Sequence, residues 1–150
     1  MRAAVLTLAL CVASTACVSH PVGPARTFAK YEGKAATTAE SALSEVQTAK
    51  LAADTAQKGN AFGPYTSQVL GDAEESIAGL DGTFGSIQPP DEHADQLAKD
   101  LGTMLGDAED HVTDLRVAVR RGELRDLEDL IAPLEDDIDA LEGFLEEHQS

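Results

Sequence analysis

His111 lies in the most suggestive grouping of chemically active side chains in this sequence. It follows Glu109 and Asp110 directly and stands three residues before Asp114. On a helix, His111 and Asp114 can face each other, and an imidazole beside a carboxylate can serve in proton transfer or metal binding. The same spacing is also typical of a pair on a helix surface, so we predict a surface pair without a catalytic role.

Helical proteins that hold two iron ions use Glu-x-x-His pairs that face the bundle interior. Three residues before His93, His111 and His148 the sequence has Pro90, Ala108 and Leu145. The sequence also lacks a Cys-x-x-Cys-His motif, a His-Glu-x-x-His motif, a nucleophile elbow and a phosphate-binding glycine loop with lysine. We therefore predict no enzyme activity, no cofactor and no metal site.

Acidic residues are concentrated in the second half of the chain, which has a formal net charge of −16. Residues 25–88 include eight acidic and five basic side chains, whereas residues 89–150 include nineteen acidic and five basic ones. A field of this sign repels nucleic acid and attracts cationic partners. We predict no nucleic-acid binding.

The last helical pattern has the densest carboxylates, and we predict that some of them form an interaction face for a cationic or envelope protein. The members of this face are Asp129, Asp136, Asp137, Asp139 and Glu142. A specific calcium site is not favoured, because the cluster lies in a helical pattern rather than in a twelve-residue loop with a central glycine.

The first 16 residues have the layout of an export signal. Met1 and Arg2 precede an apolar run over residues 3–13, and small residues over 14–16 lead to Cys17. The run is shorter than the roughly 20 apolar residues of a transmembrane helix. We predict that residues 1–16 are a signal peptide and that the mature chain acts outside the cytoplasm.

Cleavage of this signal would discard Cys11 and leave Cys17 as the one cysteine, which excludes an intramolecular disulfide. The segment resembles a bacterial lipoprotein signal, in which a small residue precedes a cysteine that is acylated and becomes the mature N-terminus. It departs from the usual pattern at Ser14, where leucine is favoured. The resemblance implies a lipid on Cys17 that anchors the protein at the outer face of the cytoplasmic membrane. Ordinary cleavage after Ala16 is the alternative and would give a secreted protein.

After a tether over residues 17–25, apolar periodicity predicts four helices over about 26–58, 64–88, 91–121 and 123–148. Glycine and proline separate them at residues 59–60, 63–64, 89–90 and at Gly122. Gly122 could instead lie inside one helix from 91 to 148, but that helix would be about 87 Å long at 1.5 Å per residue. We predict a tight hairpin at Gly122.

The last helix has the most regular apolar stripe, and its phase continues across Pro133, which predicts a kink rather than an end. We expect Ile131, Leu134, Ile138 and Leu141 to form the buried seam. A helix as amphipathic as this one is not stable alone in water, so the apolar stripes of the other three predicted helices must pack against it. The sequence therefore predicts an all-α, antiparallel up-down-up-down four-helix bundle over residues 26–150, preceded by a signal peptide.

In that topology the first and fourth helices are antiparallel neighbours. The basic residues that open the first helix then meet the acidic residues that close the fourth, and the two sets offset each other. The same alignment places Lys50 and Lys58 near Glu123 and Asp126.

Beyond the signal, the helices rich in Ala, Asp and Gly resemble exported lipoproteins of high-GC Gram-positive bacteria. This resemblance implies a protein of the cell envelope. Our first hypothesis is a non-enzymatic lipoprotein that presents an acidic helical surface for protein interaction. The alternative is a binding module for a small ligand or a cation, built on the helical bundle.

Overall fold

The computed structural model describes residues 24–124 and 127–148. The predicted signal peptide, Cys17 and the tether up to residue 23 lie outside this range, as do Arg125 and Asp126. The described residues form four helices: α1 (Phe28–Gln57), α2 (Gly63–Gly85), α3 (Glu92–Arg121) and α4 (Leu127–His148).

The four helices pack as an antiparallel bundle, which confirms the predicted fold class. Each helix contacts the next in the chain, and α4 also packs along α1, so the ring of helices closes. Side chains from opposite ends of neighbouring helices meet, as where Tyr31 at the start of α1 contacts Phe84 at the end of α2, with ring centroids 5.2 Å apart. Across the bundle, α1 contacts α3, whereas α2 and α4 have no contact within the described part of the chain.

Local signals set the helix ends close to their predicted positions. Asp91 caps the start of α3, because its carboxylate accepts a hydrogen bond from the Ala94 N–H at 2.9 Å. Gly122 ends α3 with a φ of 75°, a left-handed conformation that favours glycine, and the Glu123 N–H reaches back to the Ala118 carbonyl at 3.0 Å. The predicted hairpin at Gly122 is confirmed, although α4 begins at Leu127 rather than at 123.

The centre of the bundle is built from small side chains of α1. Seven of its nine buried residues are alanine: Ala35, Ala36, Ala39, Ala42, Ala49, Ala53 and Ala56. The facing buried residues of α3 include the larger Leu101, Leu105 and Leu115, each with no exposed surface. Short side chains on one helix let the two axes approach closely, since interaxial distance depends on the residues at the contact.

The buried seam of α4 differs from the prediction at one position. Leu134 and Leu141 are fully buried and Ile131 is 6% exposed, as expected, but Ile138 is only partly buried. Asp137 takes the more buried position, because it turns toward α3, where it meets His111. The helix runs through Pro133 without ending, as predicted.

The register of α1 against α4 also differs from the prediction. Lys50 contacts Glu135 at 3.2 Å rather than the expected Glu123, while the expected Asp126 lies outside the described residues. The reason is length: α1 has 30 residues and α4 has 22. Glu32 near the start of α1 lies 3.1 Å from His148 at the end of α4, and this contact sets how the two helices are aligned. Residue 123 precedes α4 and therefore precedes the part of the chain that faces α1.

The end of the bundle where the described chain begins is closed by aromatic rings. Phe28 stacks on His93 with ring centroids 4.1 Å apart, which joins the starts of α1 and α3. Ala25, the last residue of the predicted tether, is only 4% exposed and belongs to the core. Within residues 24–124 and 127–148, no helix combines the length and the apolar character that crossing a membrane requires.

We expect Ala42→Leu to lower the free energy of unfolding by about 1 to 3 kcal/mol, because Ala42 is fully buried and the added methyl groups overpack the centre of the bundle. Urea denaturation of the two proteins measures the difference. Ala140→Leu on the exposed side of α4 is the matched control and should change stability by less than about 0.5 kcal/mol. Equal effects of the two substitutions would contradict a close-packed alanine centre.

Candidate functional site

The predicted acidic interaction face of α4 is divided by the structure. Asp129, Asp136, Asp139 and Glu142 are exposed, as predicted. Asp137 is only 7% exposed and therefore does not belong to an exposed face. A carboxylate is costly to bury without a partner, so its surroundings decide what it does.

Asp137 is paired with His111 across the α3–α4 interface. The His111 Nδ1 lies 2.8 Å from the Asp137 Oδ2, and the side chains are 35% and 8% exposed. The predicted pairing of His111 with Asp114 on the same helix is therefore wrong: the imidazole meets a carboxylate of the neighbouring helix instead. The two residues are at equal distances, thirteen residues, before and after Leu124, as an antiparallel hairpin requires.

Burial raises the pKa of Asp137 above its ordinary value. The hydrogen bond and the charge of His111 act in the opposite direction, while the neighbouring carboxylates Asp107 and Asp136 raise the pKa further. Asp107 and Asp136 are themselves exposed. The pair thus sits beneath a surface of like charge, and the imidazole offsets part of the repulsion.

An imidazole held by a carboxylate is one part of many catalytic sites, but catalysis or metal binding needs further groups within reach. Among the described residues, no three His, Cys, Asp or Glu side chains come close enough to hold a metal ion. What the geometry does provide is a polar link between α3 and α4.

Exposed carboxylates of α3 and α4 surround this link. Asp107 and Asp114 are four residues before and three after His111, so helical spacing places them on the same side of α3. Asp129 and Asp136 are two turns apart on α4 and share one side of that helix. We name these four exposed residues, Asp107, Asp114, Asp129 and Asp136, the α3–α4 acidic surface.

The other members of the predicted face belong to a different side of α4. Asp139 and Glu142 are four and seven residues after Glu135, which contacts Lys50 of α1. They therefore lie toward α1 rather than α3. The helix presents two acidic rows where the sequence suggested one face.

The α2–α3 interface has an ion pair that the sequence did not reveal. The Arg116 guanidinium donates two hydrogen bonds to Glu74, one from Nε and one from Nη2 to Oε1 at 3.1 Å. This contact with Arg116 lowers the pKa of Glu74, although partial burial opposes the effect. A cavity of about 400 Å³ adjoins the pair, but Glu74 and Arg116 already form an ion pair with each other.

A second, more apolar cavity lies between α1 and α2. This α1–α2 cleft has a volume of about 230 Å³. Its walls are formed by Lys34, Thr37, Thr38 and Ser41 of α1 and by Leu80, Thr83, Phe84 and Ile87 of α2 and the following turn. The sequence pointed to none of these residues as a site, and the one available signal was the row of small hydroxyl side chains beside the alanine stripe.

Asp137 also had a signal in the sequence that could have been used. It stands three residues after Leu134 and four before Leu141, so it occupies a position of the apolar stripe. An acidic residue at such a position needs a partner on a neighbouring helix.

Comparisons of the chain with models of protein families, with curated proteins and with solved structures gave no match.

We expect Asp137→Asn to raise the free energy of unfolding at pH 7, by on the order of 1 kcal/mol. The pKa of Asp137 is higher in the folded state than in the unfolded chain. The contribution of its carboxyl to the free energy of unfolding is therefore fully present below the unfolded pKa, where the group is protonated. That contribution is lost as the pH rises through the folded pKa and the buried group becomes charged. Asparagine keeps an acceptor for His111 without the charge. Urea denaturation from about pH 3 to pH 8 should show the two proteins converging at the acidic end.

Two further variants test this account. Asp136→Asn removes an exposed charge and should change stability by less than about 0.5 kcal/mol. His111→Ala leaves the buried carboxylate without its partner and should cost about 1 to 3 kcal/mol at pH 7. A stabilising His111→Ala, or a destabilising Asp137→Asn that persists at every pH, would contradict the proposed linkage.

Proposed function

We propose that this protein is a non-enzymatic lipoprotein of the bacterial cell envelope, which presents the α3–α4 acidic surface to a cationic protein partner. A lipid on Cys17 would hold it at the outer face of the cytoplasmic membrane. The observation that supports the acidic surface most directly is the difference in exposure among neighbouring carboxylates. Asp137 is buried and paired with His111. The four residues around it stay exposed: Asp107, Asp114, Asp129 and Asp136.

The spacing of these four carboxylates suits an extended or helical basic segment. Asp107 and Asp114 are separated by about 10 Å along α3, as are Asp129 and Asp136 along α4, at 1.5 Å per residue. Like charges held this close on a folded surface repel one another, and a partner with lysine or arginine relieves the repulsion. Such complementarity mainly raises the rate and the specificity of association, and salt weakens it.

The proposed anchor also sets where the bundle lies. Six residues lie between Cys17 and Pro24, and the seven residue steps from one to the other span at most about 25 Å when fully extended. A lipid on Cys17 would therefore keep the end of the bundle with Phe28 and His93 near the membrane. The helices rise from that end, so the α3–α4 acidic surface would be open to partners from the side.

A small-ligand module is the second candidate, and the α1–α2 cleft favours it. Ligand sites are concave, mostly apolar and lined by few polar groups, and this cleft meets that description on a small scale. The cleft and the acidic surface involve different helix pairs. The two functions can therefore be tested separately.

We expect Cys17→Ser to move the protein from the membrane fraction to the soluble fraction or the medium, or to block its processing, because the substitution removes the acylated thiol. Fractionation and mass spectrometry of the mature N-terminus measure the outcome. Cys11→Ser is the matched control and should leave the distribution unchanged, since the predicted signal peptide is removed. An unmodified mature N-terminus with unchanged fractionation would refute the anchor.

We expect that replacing the four residues of the α3–α4 acidic surface by their amides weakens binding of an oligolysine peptide about tenfold at low salt, because each exposed ion pair contributes about 0.2 to 1 kcal/mol. Isothermal titration calorimetry measures the affinity. The control removes the same charge elsewhere by amide substitution of Glu40, Asp72, Glu75 and Asp81, which are exposed on α1 and α2. An equal loss in both variants would show that net charge alone, and not this surface, attracts the peptide.

A further inference from the structure

We infer that a cavity between the start of α2 and the end of α3 binds a small phosphate monoester that carries a planar ring. We name this cavity the α2–α3 end pocket, and the argument uses six of the residues that line it: Gly63, Pro64 and Ser67 of α2, and Arg120, Arg121 and Gly122 at the end of α3. The pocket shares no residue with the α3–α4 acidic surface or with the α1–α2 cleft. The inference therefore goes beyond both functions considered above.

The α2–α3 end pocket has no carboxylate on its walls, although the chain is rich in carboxylates. Its volume of about 560 Å³ lies within the roughly 300 to 1,000 Å³ of sites for small molecules. The charged side chains that line it are those of Arg120 and Arg121. Acidic side chains outnumber basic ones by 27 to 11 in the whole sequence. The walls of this pocket thus have positive charge on a protein whose net charge is strongly negative.

The two arginines of the pocket have no acidic partner among the described residues, unlike the arginine one turn before them. Arg116 is paired with Glu74 of α2. No described carboxylate forms an ion pair with Arg120 or Arg121, and both side chains are exposed. Their position at the end of α3 suits the helix dipole, but the dipole does not use the five N–H donors of each guanidinium group. These donors can serve a ligand.

Two adjacent guanidinium groups match a phosphate better than they match a carboxylate. A phosphate monoester has three terminal oxygens and a charge of about −1.5 to −2 at pH 7. Each guanidinium group can donate two parallel hydrogen bonds to such oxygens. A carboxylate has two oxygens, which a single arginine satisfies. The presence of both Arg120 and Arg121 on the wall therefore favours phosphate.

The charge on the rest of the protein limits the size of the ligand. A nucleic acid or an anionic bilayer would bring many negative charges against a chain with a net charge of −16. Salt at physiological concentration screens exposed charges beyond about 8 Å. A ligand with one phosphate therefore interacts mainly with the two arginines, whereas a polyanion also meets the carboxylates around them.

Two exposed aromatic side chains adjoin the pocket and favour a ligand with a ring. Phe62 directly precedes Gly63, and Tyr65 directly follows Pro64, so both are chain neighbours of residues that line the pocket. Phe62 is 76% exposed and Tyr65 is 67% exposed. Stacking against a planar group of a ligand would remove part of this apolar surface from water. The small residues of the α2 wall leave room for such a group.

Phenyl phosphate is a suitable probe, used in about 0.15 M salt with the full-length chain that carries Cys17→Ser, so that no attached lipid is present. We expect calorimetry to detect binding of one phenyl phosphate per chain. In NMR spectra the signals of the Ser67 and Gly122 N–H groups should shift as the ligand is added. Inorganic phosphate, which lacks the ring, should bind about threefold or more weakly, and phenol, which lacks the phosphate, about tenfold or more weakly.

Two double variants in the same background test the arginines. Arg120→Gln with Arg121→Gln removes both guanidinium groups and should weaken phenyl phosphate binding about tenfold or more. The matched control is Lys30→Gln with Lys99→Gln, which removes the same charge from exposed positions of α1 and α3. It should change the affinity less than about twofold. An equal loss in both variants would show that net charge alone attracts the ligand and would overturn the site.

A third double variant tests the aromatic side chains. Phe62→Ala with Tyr65→Ala should weaken the binding of phenyl phosphate but not that of inorganic phosphate, because only the former has a ring to stack. The shifts of the Ser67 and Gly122 N–H signals come from the chain without any of these substitutions in the bundle. They keep the test valid if a variant fails to fold.

The remaining failures are distinct from one another. A lack of binding by both phosphate compounds, or binding that leaves the Ser67 and Gly122 signals unchanged, would overturn the site. Inorganic phosphate that binds as tightly as phenyl phosphate would overturn the ring-bearing ligand class. Vesicles that contain phosphatidic acid test a lipid head group as the source of the phosphate, and tighter binding to them than to phenyl phosphate would overturn the small ligand. The α3–α4 acidic surface, whose proposed partner is cationic, is unaffected by each of these outcomes.

Discussion

Close approach of α1 and α3 through alanine is the contact on which the rest of the bundle depends. Because α1 presents alanine at most of its buried positions, α3 can reach it across the bundle with leucine and valine. This diagonal contact separates α2 from α4, which do not meet within the described residues. Each of those two helices therefore packs against the α1–α3 pair from its own side, and each must be held there by its own contacts.

The two outer helices are held by different chemistry. α2 is joined to α3 by Arg116 and Glu74, a bidentate pair whose cation stays charged at any ordinary pH. α4 is joined to α3 through His111 and Asp137, and to α1 through His148 with Glu32 and through Lys50 with Glu135. Two of these three links to α4 pair a histidine with a carboxylate, and burial raises the pKa of the Asp137 carboxyl. Among the described residues, α4 is therefore held by several separate side-chain pairs, whereas α2 is held to α3 by one bidentate pair.

Periodicity and glycine were enough to predict the number of helices, their order and the hairpin at Gly122, because these features depend on local sequence. They were not enough for the pairing of Lys50 or of His111. A helical stripe shows which side of a helix is buried, but the register between two helices depends on their lengths and on how their ends meet. The α1–α2 cleft was missed for a related reason: it arises from short hydroxyl side chains on one helix opposite Phe84 and Leu80 on the other, and neither stripe shows that mismatch alone.

The separation of α2 from α4 also bears on how two functions could coexist in so small a protein. The α3–α4 acidic surface and the α1–α2 cleft lie on opposite flanks of the alanine-lined centre. The helices that carry them also meet directly, because α2 packs against α3 and α4 packs along α1. The contact of α1 with α3 is made by side chains with little rotational freedom, such as alanine and valine, and has few alternative arrangements. The acidic surface and the cleft share no residue, so each can change in evolution without replacing a side chain of the other.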